Sequence, residues 1–473
     1  MVKTALINPP LDPKSEGTYE KWAPHLGLGY LAASLLQAGF KCEVIDAKFE
    51  GIDFKDVCER VKRYKPDIVG ITMVTEDFRS ASHIGNFIKA FDPEIITIVG
   101  GPHPTAVPAR TLRENENYDI AVEGEGEYTL RDIVSVVESG NLQRLRNVQG
   151  ITYRSNGEII RNKPRQLIED LDSLLFPAWE LFKTNENTLY PMVTARGCPF
   201  GCIFCQPLYG KKVRFRSATN LLDEVDYLIS KFKCRKITFQ DDTFTLNRKR
   251  ITEFLDEFIR REYSRKIEWI CETRVTSVDQ DLLKKIKEAG CVSIGFGVES
   301  GNENTLKIIK KGITKGQARN AIRWAKEVGL FVRTFFILGH PYETEETAKE
   351  TISFAKELNA DMTTFSIMTP IPGTEVEQMA EKGIGGLRLL SKDYSDYSLQ
   401  LSKAMELEQL PISKLKHLQL KGYLSFYLQP KKFGTLLRFI NKKRLLGIAW
   451  HYAKESFTKW NRKNSAEFSD NSC

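Results

Sequence analysis

The sequence predicts an α/β protein made of two successive blocks of alternating strands and helices. Residues 3–135 alternate short apolar runs with helical patterns, and the same alternation resumes at Pro191 and continues to about residue 385. Between the blocks, "GITYRSNGEIIRN" holds two strand-like runs around Asn156-Gly157, a strong signal for a two-residue hairpin turn. Strands that alternate with helices of roughly 10–15 residues indicate parallel sheets built from βαβ units.

Composition is that of an ordinary globular protein. The 473 residues are 41% hydrophobic and 27% charged, and no apolar run reaches the length of a membrane span. The N-terminus does not have the pattern of a signal peptide, so we expect a cytoplasmic protein with reduced thiols. Residues 401–473 carry a net charge of +9 and the remainder −1. Nucleic-acid binding by the main body is therefore not expected.

The first block contains five strand-like runs, a count that favours a doubly wound parallel sheet of the flavodoxin type. Ligands of such sheets bind beyond the carboxyl ends of the strands. Glycines at those ends let the backbone approach a ligand closely, although each turn taken alone is more simply a tight strand-to-helix connection. The predicted strand ends carry Asn8-Pro9-Pro10, Asp46, Thr72-Met73-Val74-Thr75, Gly100-Gly101-Pro102-His103 and Glu123-Gly124-Glu125-Gly126-Glu127.

These turns resemble the cobalamin-binding domain that precedes many radical S-adenosylmethionine (SAM) enzymes, over roughly residues 1–140. Many such domains carry D-x-H-x-x-G after the first strand, whose His ligates cobalt, but no D-x-H occurs in this chain. The resemblance then implies base-off cobalamin, with another residue, water or nothing below cobalt. The nearest imidazole is His103, for which a structural role at a turn is the alternative. The cofactor-binding residues implied are Asn8, Pro10, Thr72, Gly100, Gly101, Pro102, His103, Glu123 and Gly124.

Residues 141–190 interrupt the alternation of strands and helices. The hairpin signal is followed by "LDSLLFPAWELF", in which Pro177 sets a bend. We expect a packed structural linker here. The predicted organisation is a first domain over residues 1–140, the hairpin and linker over 141–190, a barrel over 191–385 and a basic helical region with a disordered end over 386–473.

Six βα units from Pro191 onward predict a partial (β/α)6 barrel, whose chemistry would lie at the carboxyl ends of its strands. The first of these strands leads into "RGCPFGCIFC", which holds Cys198, Cys202 and Cys205 with C-x3-C-x2-C spacing. No fourth cysteine stands nearby, and the other six cysteines are scattered singly, as small buried residues often are.

Three interpretations of the cysteine loop compete. A disulfide is disfavoured by the reducing compartment and the odd count. Structural zinc prefers four ligands, and no His lies within ninety residues of the loop. An iron–sulfur cluster is held by thiolates, and three of them would leave one iron open as a substrate site.

The C-x3-C-x2-C loop after a first strand, with Phe204 before the last cysteine, resembles the radical SAM superfamily over residues 191–380. The resemblance implies a [4Fe–4S] cluster whose open iron is chelated by SAM, and reductive cleavage of SAM to a 5′-deoxyadenosyl radical that abstracts hydrogen from an unactivated carbon. The cofactor carries this chemistry, while the protein positions and shields it.

Further strand ends match the superfamily. Asp241 and Asp242 stand where the methionine part of SAM would bind, with capping of the next helix as the alternative. Glu299 occupies the position that often contacts the ribose. Glu272 and Arg274 end the third strand and would also point toward this face as cofactor-binding residues, with an ordinary salt bridge between them as an equal alternative.

The basic tail predicts helices over residues 401–473. Apolar residues interleaved with Lys and Arg from Phe433 onward allow two interpretations: an interfacial helix that touches anionic membrane, or a helical cap on the barrel with a solvated basic face.

We therefore expect a cobalamin-dependent radical SAM enzyme that methylates an unactivated carbon of a small-molecule or lipid substrate. In the family, cobalamin takes the methyl group from one SAM and delivers it to a substrate radical made with a second. Its electron donor would be flavodoxin or ferredoxin. One alternative is radical oxidation, cyclisation or rearrangement without methyl transfer, and another is a non-catalytic cobalamin or redox sensor.

Overall fold

The computed structural model describes residues 1–12, 23–206, 208–398, 400–429 and 432. One compact unit, Met1–Gly422, contains both predicted blocks, and a second unit spans Tyr423–Cys473. The tail segment from Phe433 and the predicted disordered end lie outside the described residues.

The first block forms a sheet with helices between its strands. The strands are β1 Lys3–Asn8, β2 Lys41–Asp46, β3 Ile68–Thr72, β4 Ile96–Gly100, β5 Ile120–Val122, β6 Ile151–Ser155 and β7 Glu158–Arg161. The helices are α1 Leu26–Gln37, α2 Ala47–Glu50, α3 Phe54–Tyr64, α4 Phe78–Phe91, α5 Pro102–Ala106, α6 Pro108–Glu114 and α7 Glu127–Glu138. Strands β1–β5 are parallel in the order β2-β1-β3-β4-β5, which confirms the flavodoxin-type sheet.

The core of this sheet follows from its apolar strands. Ile7, Ile71 and Val99 are fully buried in neighbouring strands, and they share one cluster with Val61 of α3 and Ile84 of α4. Strands this apolar are typical of a parallel sheet covered on both faces. The polar ends of the strands therefore remain as the edge at which a ligand can bind.

The hairpin predicted at Asn156-Gly157 is confirmed, and it extends the first sheet. Both residues have left-handed backbone, with φ of 51° and 82°, as a type I′ turn requires. Strand β6 pairs antiparallel with β5, and β7 pairs with β6, so the sheet has seven strands. The rest of the connector crosses to the second block.

The connector packs tightly on helix α1. The backbone N–H of Ala178 donates to the carbonyl of Gly29 (3.1 Å), and Trp179 is fully buried. A Cβ atom at Gly29 would lie 2.6 Å from Cβ of Pro177. The linker is thus held at a point where only a residue without a side chain fits.

The second block forms an open, six-stranded parallel sheet. Its strands are β8 Leu189–Met192, β11 Lys236–Phe239, β12 Glu268–Thr273, β13 Cys291–Glu299, β14 Phe331–Leu338 and β15 Met362–Ile367. Two strands of two residues each, β9 Ala195–Arg196 and β10 Arg214–Phe215, form a separate antiparallel pair. The helices are α8 Ala218–Phe232, α9 Arg248–Arg260, α10 Gln280–Glu288, α11 Glu303–Ile308, α12 Lys315–Glu327, α13 Glu345–Leu358 and α14 Glu375–Glu381. The order β15-β14-β13-β12-β11-β8 confirms the partial six-stranded barrel.

The region after the barrel is only partly helical. An antiparallel pair, β16 Leu387–Leu389 and β17 Met405–Leu407, precedes helix α15 Ile412–Tyr427, so the expectation of helix throughout residues 401–473 is wrong at β17. In α15, Gln419 donates from Nε2 to the backbone carbonyl of Phe365 in the edge strand β15 (2.7 Å). Among the described residues, no helix combines the length and apolar character needed to cross a membrane.

We expect Gly29→Ala to lower the free energy of unfolding by about 1–3 kcal/mol, the usual cost of forcing a methyl group into a packed contact. The measurement is denaturant or thermal unfolding. Gly316→Ala is the matched control, because that helical glycine has no atom closer than 3.8 Å to an added Cβ. Equal stability of the two variants would contradict the tight contact between α1 and the connector.

Candidate active site

A cavity of about 640 Å³ lies over the carboxyl ends of the first sheet. Six of the predicted residues line it: Asn8, Thr72, Gly100, Gly101, Pro102 and Gly124. The second block contributes Val193, Arg196, Tyr209 and Gln240 to the same wall. The cavity is therefore shared by the two blocks, at the edge where ligands of doubly wound sheets bind.

Backbone forms much of the cavity wall. Seven glycines line it: Gly27, Gly51, Gly70, Gly100, Gly101, Gly124 and Gly126. Gly101 has a φ of 96°, and a Cβ there would lie 3.0 Å from Oγ1 of Thr72 and 3.1 Å from the backbone of Met73. The glycines at the strand ends let a broad, flat group lie against the backbone there.

Pro10, Glu123 and His103 are not among the residues that line the cavity. The Glu123 carboxylate accepts from Thr152 (2.8 Å) and Arg161 (2.6 Å) of the hairpin. His103 is fully buried, with Nδ1 3.2 Å from Oγ1 of Thr75.

The surroundings of His103 are aromatic. Its ring centroid lies 5.4 Å from that of Phe78 and 4.8 Å from that of Tyr394. Burial lowers the pKa of His103 to about 3, so the imidazole is neutral. This packing corresponds to the structural alternative that the sequence left open.

A different histidine, His25, lines the cavity, and sequence reasoning missed it. His25 precedes α1, and its Nδ1 accepts from the backbone N–H of Leu28 (3.2 Å). Its Nε2 lies 3.4 Å from Oγ1 of Thr72. The backbone N–H of His25 donates to the carboxylate of Asp46 (2.7 Å). Burial lowers the pKa of His25, so the ring is neutral there.

The cysteine loop begins directly after β9, beside the cavity. The N–H of Cys198 donates to the carbonyl of Gly210 (3.2 Å), and that of Ile203 donates to Ile309 (3.3 Å). All three loop cysteines are free thiols; Cys198 and Cys202 are half-buried and Cys205 is exposed. Within the described residues, no group of three or more His, Cys, Asp or Glu side chains is arranged to hold a metal ion.

The loop packs against the carboxyl end of β12. The guanidinium of Arg274 lies 3.6 Å from the ring centroid of Phe200 and donates to the carbonyl of Lys311. Arg274 is buried, whereas Phe204 remains half-buried in the loop. Stacking and a hydrogen bond from one side chain thus join the loop to the end of β12 and to the segment between α11 and α12.

The two aspartates after β11 have different surroundings. Asp241 is buried and accepts from the N–H (3.0 Å) and the hydroxyl (2.7 Å) of Thr194, and burial raises its pKa to about 6. Asp242 is exposed. The pKa of the Cys198 thiol is raised, first by the burial of that thiol and then by the nearby charges of Asp242 and Cys202. Asn247 caps α9, so capping of that helix by either aspartate, the alternative considered from sequence, is wrong.

Glu272 and Arg274 do not form a salt bridge with each other. Glu272 pairs with Arg333 instead, at 3.4 Å. Glu272 and Arg333 stand in one row across the sheet, on either side of Gly295 in β13, and the missing side chain of Gly295 leaves the space between them open.

Glu299 is fixed at the end of β13 by two contacts. Its carboxylate accepts from Nζ of Lys311 (2.8 Å), and its carbonyl lies 3.3 Å from Nε2 of His340. Its backbone is left-handed, with a φ of 68°, and a Cβ at Gly297 would lie 2.5 Å from its Oε1. Glycine at that position leaves room for a buried carboxylate near the cysteine loop.

Two family models match the chain, one on each block. The B12 binding domain matches residues 17–134, and the Radical SAM superfamily matches residues 192–355. The first covers β2 to β5 of the sheet below the cavity, and the second covers the cysteine loop and most of the barrel.

Relatives resemble the chain over nearly its full length. A protein of Pyrococcus horikoshii named as an uncharacterised methyltransferase is 34% identical over 91% of this chain and 94% of its own. The anaerobic magnesium-protoporphyrin IX monomethyl ester cyclase of Cereibacter sphaeroides is 30% identical over 92% of this chain and 72% of its own.

A solved structure shares the fold. The radical SAM methyltransferase TsrM from Kitasatospora setae, with cobalamin and a [4Fe–4S] cluster bound, matches with a TM-score of 0.71 and 17% identity, over 91% of this chain and 89% of that one. Taken with the two matched domains and the full-length relatives, this assigns the chain to the radical SAM superfamily, among the enzymes that carry a B12-binding domain.

Proposed function

We propose that this enzyme uses a [4Fe–4S] cluster, SAM and cobalamin to methylate an unactivated carbon of a small-molecule or lipid substrate. One observation carries the proposal. Arg196 and Tyr209, which bracket the cysteine loop in sequence, also line the glycine-rich cavity. A group held by the three thiols and a group held in the cavity would therefore be neighbours.

The three thiols suit a cluster with one open iron. Cys198, Cys202 and Cys205 would hold it, and with SAM it supplies a carbon-centred radical that opens a C–H bond. Near the loop, the exposed carboxylate of Asp242 can accept from an ammonium group. The carboxylate of Glu299, held by Lys311, can accept from a ribose hydroxyl. These two acceptors support SAM binding at the carboxyl ends of β11 and β13.

The cavity suits the corrin ring, and bound cobalamin supplies a carrier for the methyl group. Gly100 and Gly101 let the ring approach the ends of β3 and β4, and Thr72 and Asn8 offer polar contacts at the β1/β3 switch point. The name of the full-length Pyrococcus horikoshii relative supports methyl transfer as the outcome.

Cyclisation or another oxidation without methyl transfer is the second candidate. The observation that favours it is the cyclase of Cereibacter sphaeroides, which is 30% identical over 92% of this chain. A non-catalytic sensor is not retained, because the chain belongs to an enzyme superfamily.

The reaction needs an electron for each cleavage of SAM, and we assign flavodoxin or ferredoxin as the class of donor. The free thiols of the described cysteines agree with a reducing cytoplasmic location. The part of the tail proposed to touch membrane lies outside the described residues.

Cobalamin is proposed to bind base-off, without a histidine below cobalt. Among the described histidines, only His25 lines the cavity. Because its Nδ1 accepts the Leu28 N–H, the proton of the neutral ring lies on Nε2, the nitrogen that faces Thr72. A nitrogen that carries a proton cannot ligate cobalt. His25 therefore acts as a hydrogen-bond donor in the cavity.

Replacing Cys198, Cys202 or Cys205 by Ala should remove the visible iron–sulfur absorption and all SAM cleavage, because each thiolate holds a different iron. Iron content and the absorption spectrum of anaerobically reconstituted protein measure this. Cys58→Ala is the control, since Cys58 lies buried in α3, and it should retain the cluster. A stable cluster in any loop variant would contradict the assignment.

Incubation of the reduced, cobalamin-loaded enzyme with extracts and SAM labelled in its methyl group should place the label in a new product. Methyl transfer predicts labelled product together with 5′-deoxyadenosine and S-adenosylhomocysteine. Product that forms with 5′-deoxyadenosine but without label would favour cyclisation or oxidation and reject methylation.

The electron paramagnetic resonance (EPR) spectrum of the enzyme loaded with cob(II)alamin should show no nitrogen splitting of the cobalt lines. Splitting that changes in protein labelled with ¹⁵N-histidine would assign a histidine ligand. Splitting that is insensitive to that label would assign the base of cobalamin itself. Splitting from a histidine would reject the proposal that no histidine lies below cobalt, and splitting from the base of cobalamin would reject base-off binding itself.

A further inference from the structure

Four buried charged side chains connect the cysteine loop with the cavity wall. They are Arg196 and Arg214 from the β9/β10 pair, and Glu125 and Glu127 from the turn after β5; we call them the bridging charge cluster. Each has at most 6% of its side chain exposed. The cluster joins segments about 70 residues apart in sequence, from both family-matched blocks.

The contacts in the bridging charge cluster are short and specific. Arg196 donates to Oε1 of Glu125 (2.7 Å) and to Oε1 of Glu127 (2.6 Å). Arg214 donates to both oxygens of Glu125 (2.9 and 2.8 Å) and to the carbonyl of Ile168 (2.6 Å). Two positive and two negative groups balance, so loss of any one leaves a buried charge without compensation.

One end of the bridging charge cluster is joined by a short link to the cysteines that are proposed to hold the iron–sulfur cluster. Arg196 stands two residues before Cys198 and pairs with Arg214 across the β9/β10 ladder. Gly197, which stands between Arg196 and Cys198, has a φ of 99°, and a Cβ there would lie 2.4 Å from the carbonyl oxygen of Lys212. The short link therefore has little freedom, and movement of Arg196 would carry Cys198 with it.

The other end forms part of the cavity. Glu125 and Glu127 line it, and so does Arg196, whose guanidinium lies 5.2 Å from the ring centroid of Tyr30 and 5.5 Å from that of Tyr209. Two aromatic rings and two carboxylates thus fix one guanidinium in the wall.

We infer that Arg196 is a positioning residue: through the bridging charge cluster it sets the distance between the iron–sulfur cluster and cobalt. This inference rests on the proposed function, because both cofactors must be bound. It goes beyond that function by assigning the spacing of the two cofactors to one buried contact. A shift of about 1 Å between reacting groups can cost roughly a hundredfold in rate.

The test is Glu127→Gln, which keeps the shape of the side chain and removes one charge that holds Arg196. Arg161→Gln is the matched control, because it breaks an exposed pair with Glu123 on the same turn and does not touch Arg196. Each full-length protein is reconstituted with cluster and cobalamin, and iron and corrinoid contents are matched. Pulsed EPR then measures the coupling between the reduced cluster and cob(II)alamin spins.

The wild type and Arg161→Gln should share one well-defined coupling, and Glu127→Gln should show a weakened or broadened one. With SAM and reductant, the ratio of S-adenosylhomocysteine to 5′-deoxyadenosine should fall at least about tenfold in Glu127→Gln alone, because only methyl transfer needs both cofactors. Unchanged coupling and ratio in Glu127→Gln would overturn the inference.

Two further arms keep the test decisive. If Glu127→Gln does not reach the corrinoid content of the wild type, Arg196→Lys, which keeps the charge but loses the forked contact, replaces it with the same expected outcomes. If the wild type releases no S-adenosylhomocysteine, the proposed methyl transfer fails, while the spin coupling still decides the inference about spacing.

Discussion

The pairing of Arg196 and Arg214 with Glu125 and Glu127 is the contact on which the joint site depends. Moving such groups out of water costs several kcal/mol for each ion, and only good geometry offsets that cost. In this chain the geometry is complete only when the turn after β5 meets the β9/β10 pair. The pairing of these charges therefore depends on the docking of the two blocks, because each arginine has its carboxylate partners on the other block.

The two sheets contribute different chemistry to one space. The first supplies backbone and glycine at its strand ends, which suits a large flat group and leaves reactivity to the group itself. The second supplies thiols, carboxylates and a lysine, which suit a metal cluster and a charged, hydroxyl-rich cosubstrate. Because parallel strands all present their carboxyl ends at one edge, each sheet gathers its residues from segments that are distant in sequence.

Local sequence patterns predicted the parts of the structure that depend on neighbouring residues. Apolar runs gave both parallel sheets, Asn156-Gly157 gave the hairpin, and C-x3-C-x2-C gave the cysteine loop. Glycines at the ends of β4 and β5 predicted Gly100, Gly101 and Gly124 in the cavity wall. In each case the cause lies within a few residues of its effect, as with the positive φ of the two turn residues.

Contacts between distant segments were not predictable in this way. His103 packs against Tyr394, nearly three hundred residues later, and no local pattern shows that its ring is held there. Asp241 accepts from Thr194 because β11 lies beside β8, and Glu272 reaches Arg333 across Gly295 of the intervening strand β13. Strand β17 is three residues long and exists through its pairing with β16. The position of His25 just before α1 was the available signal for the cavity, because helix starts at strand ends are common ligand sites.

The contact between Gln419 and the carbonyl of Phe365 affects whether a strand of a second molecule can pair with the edge of the barrel sheet. Within the part of the chain that the structure describes, the incomplete barrel leaves β15 with one row of backbone groups that no neighbouring strand uses. Such an edge is a template on which a strand of another molecule can add. In helix α15, the side-chain amide of Gln419 occupies one acceptor of this row, the carbonyl of Phe365. A strand of another molecule would have to displace this amide in order to pair at Phe365.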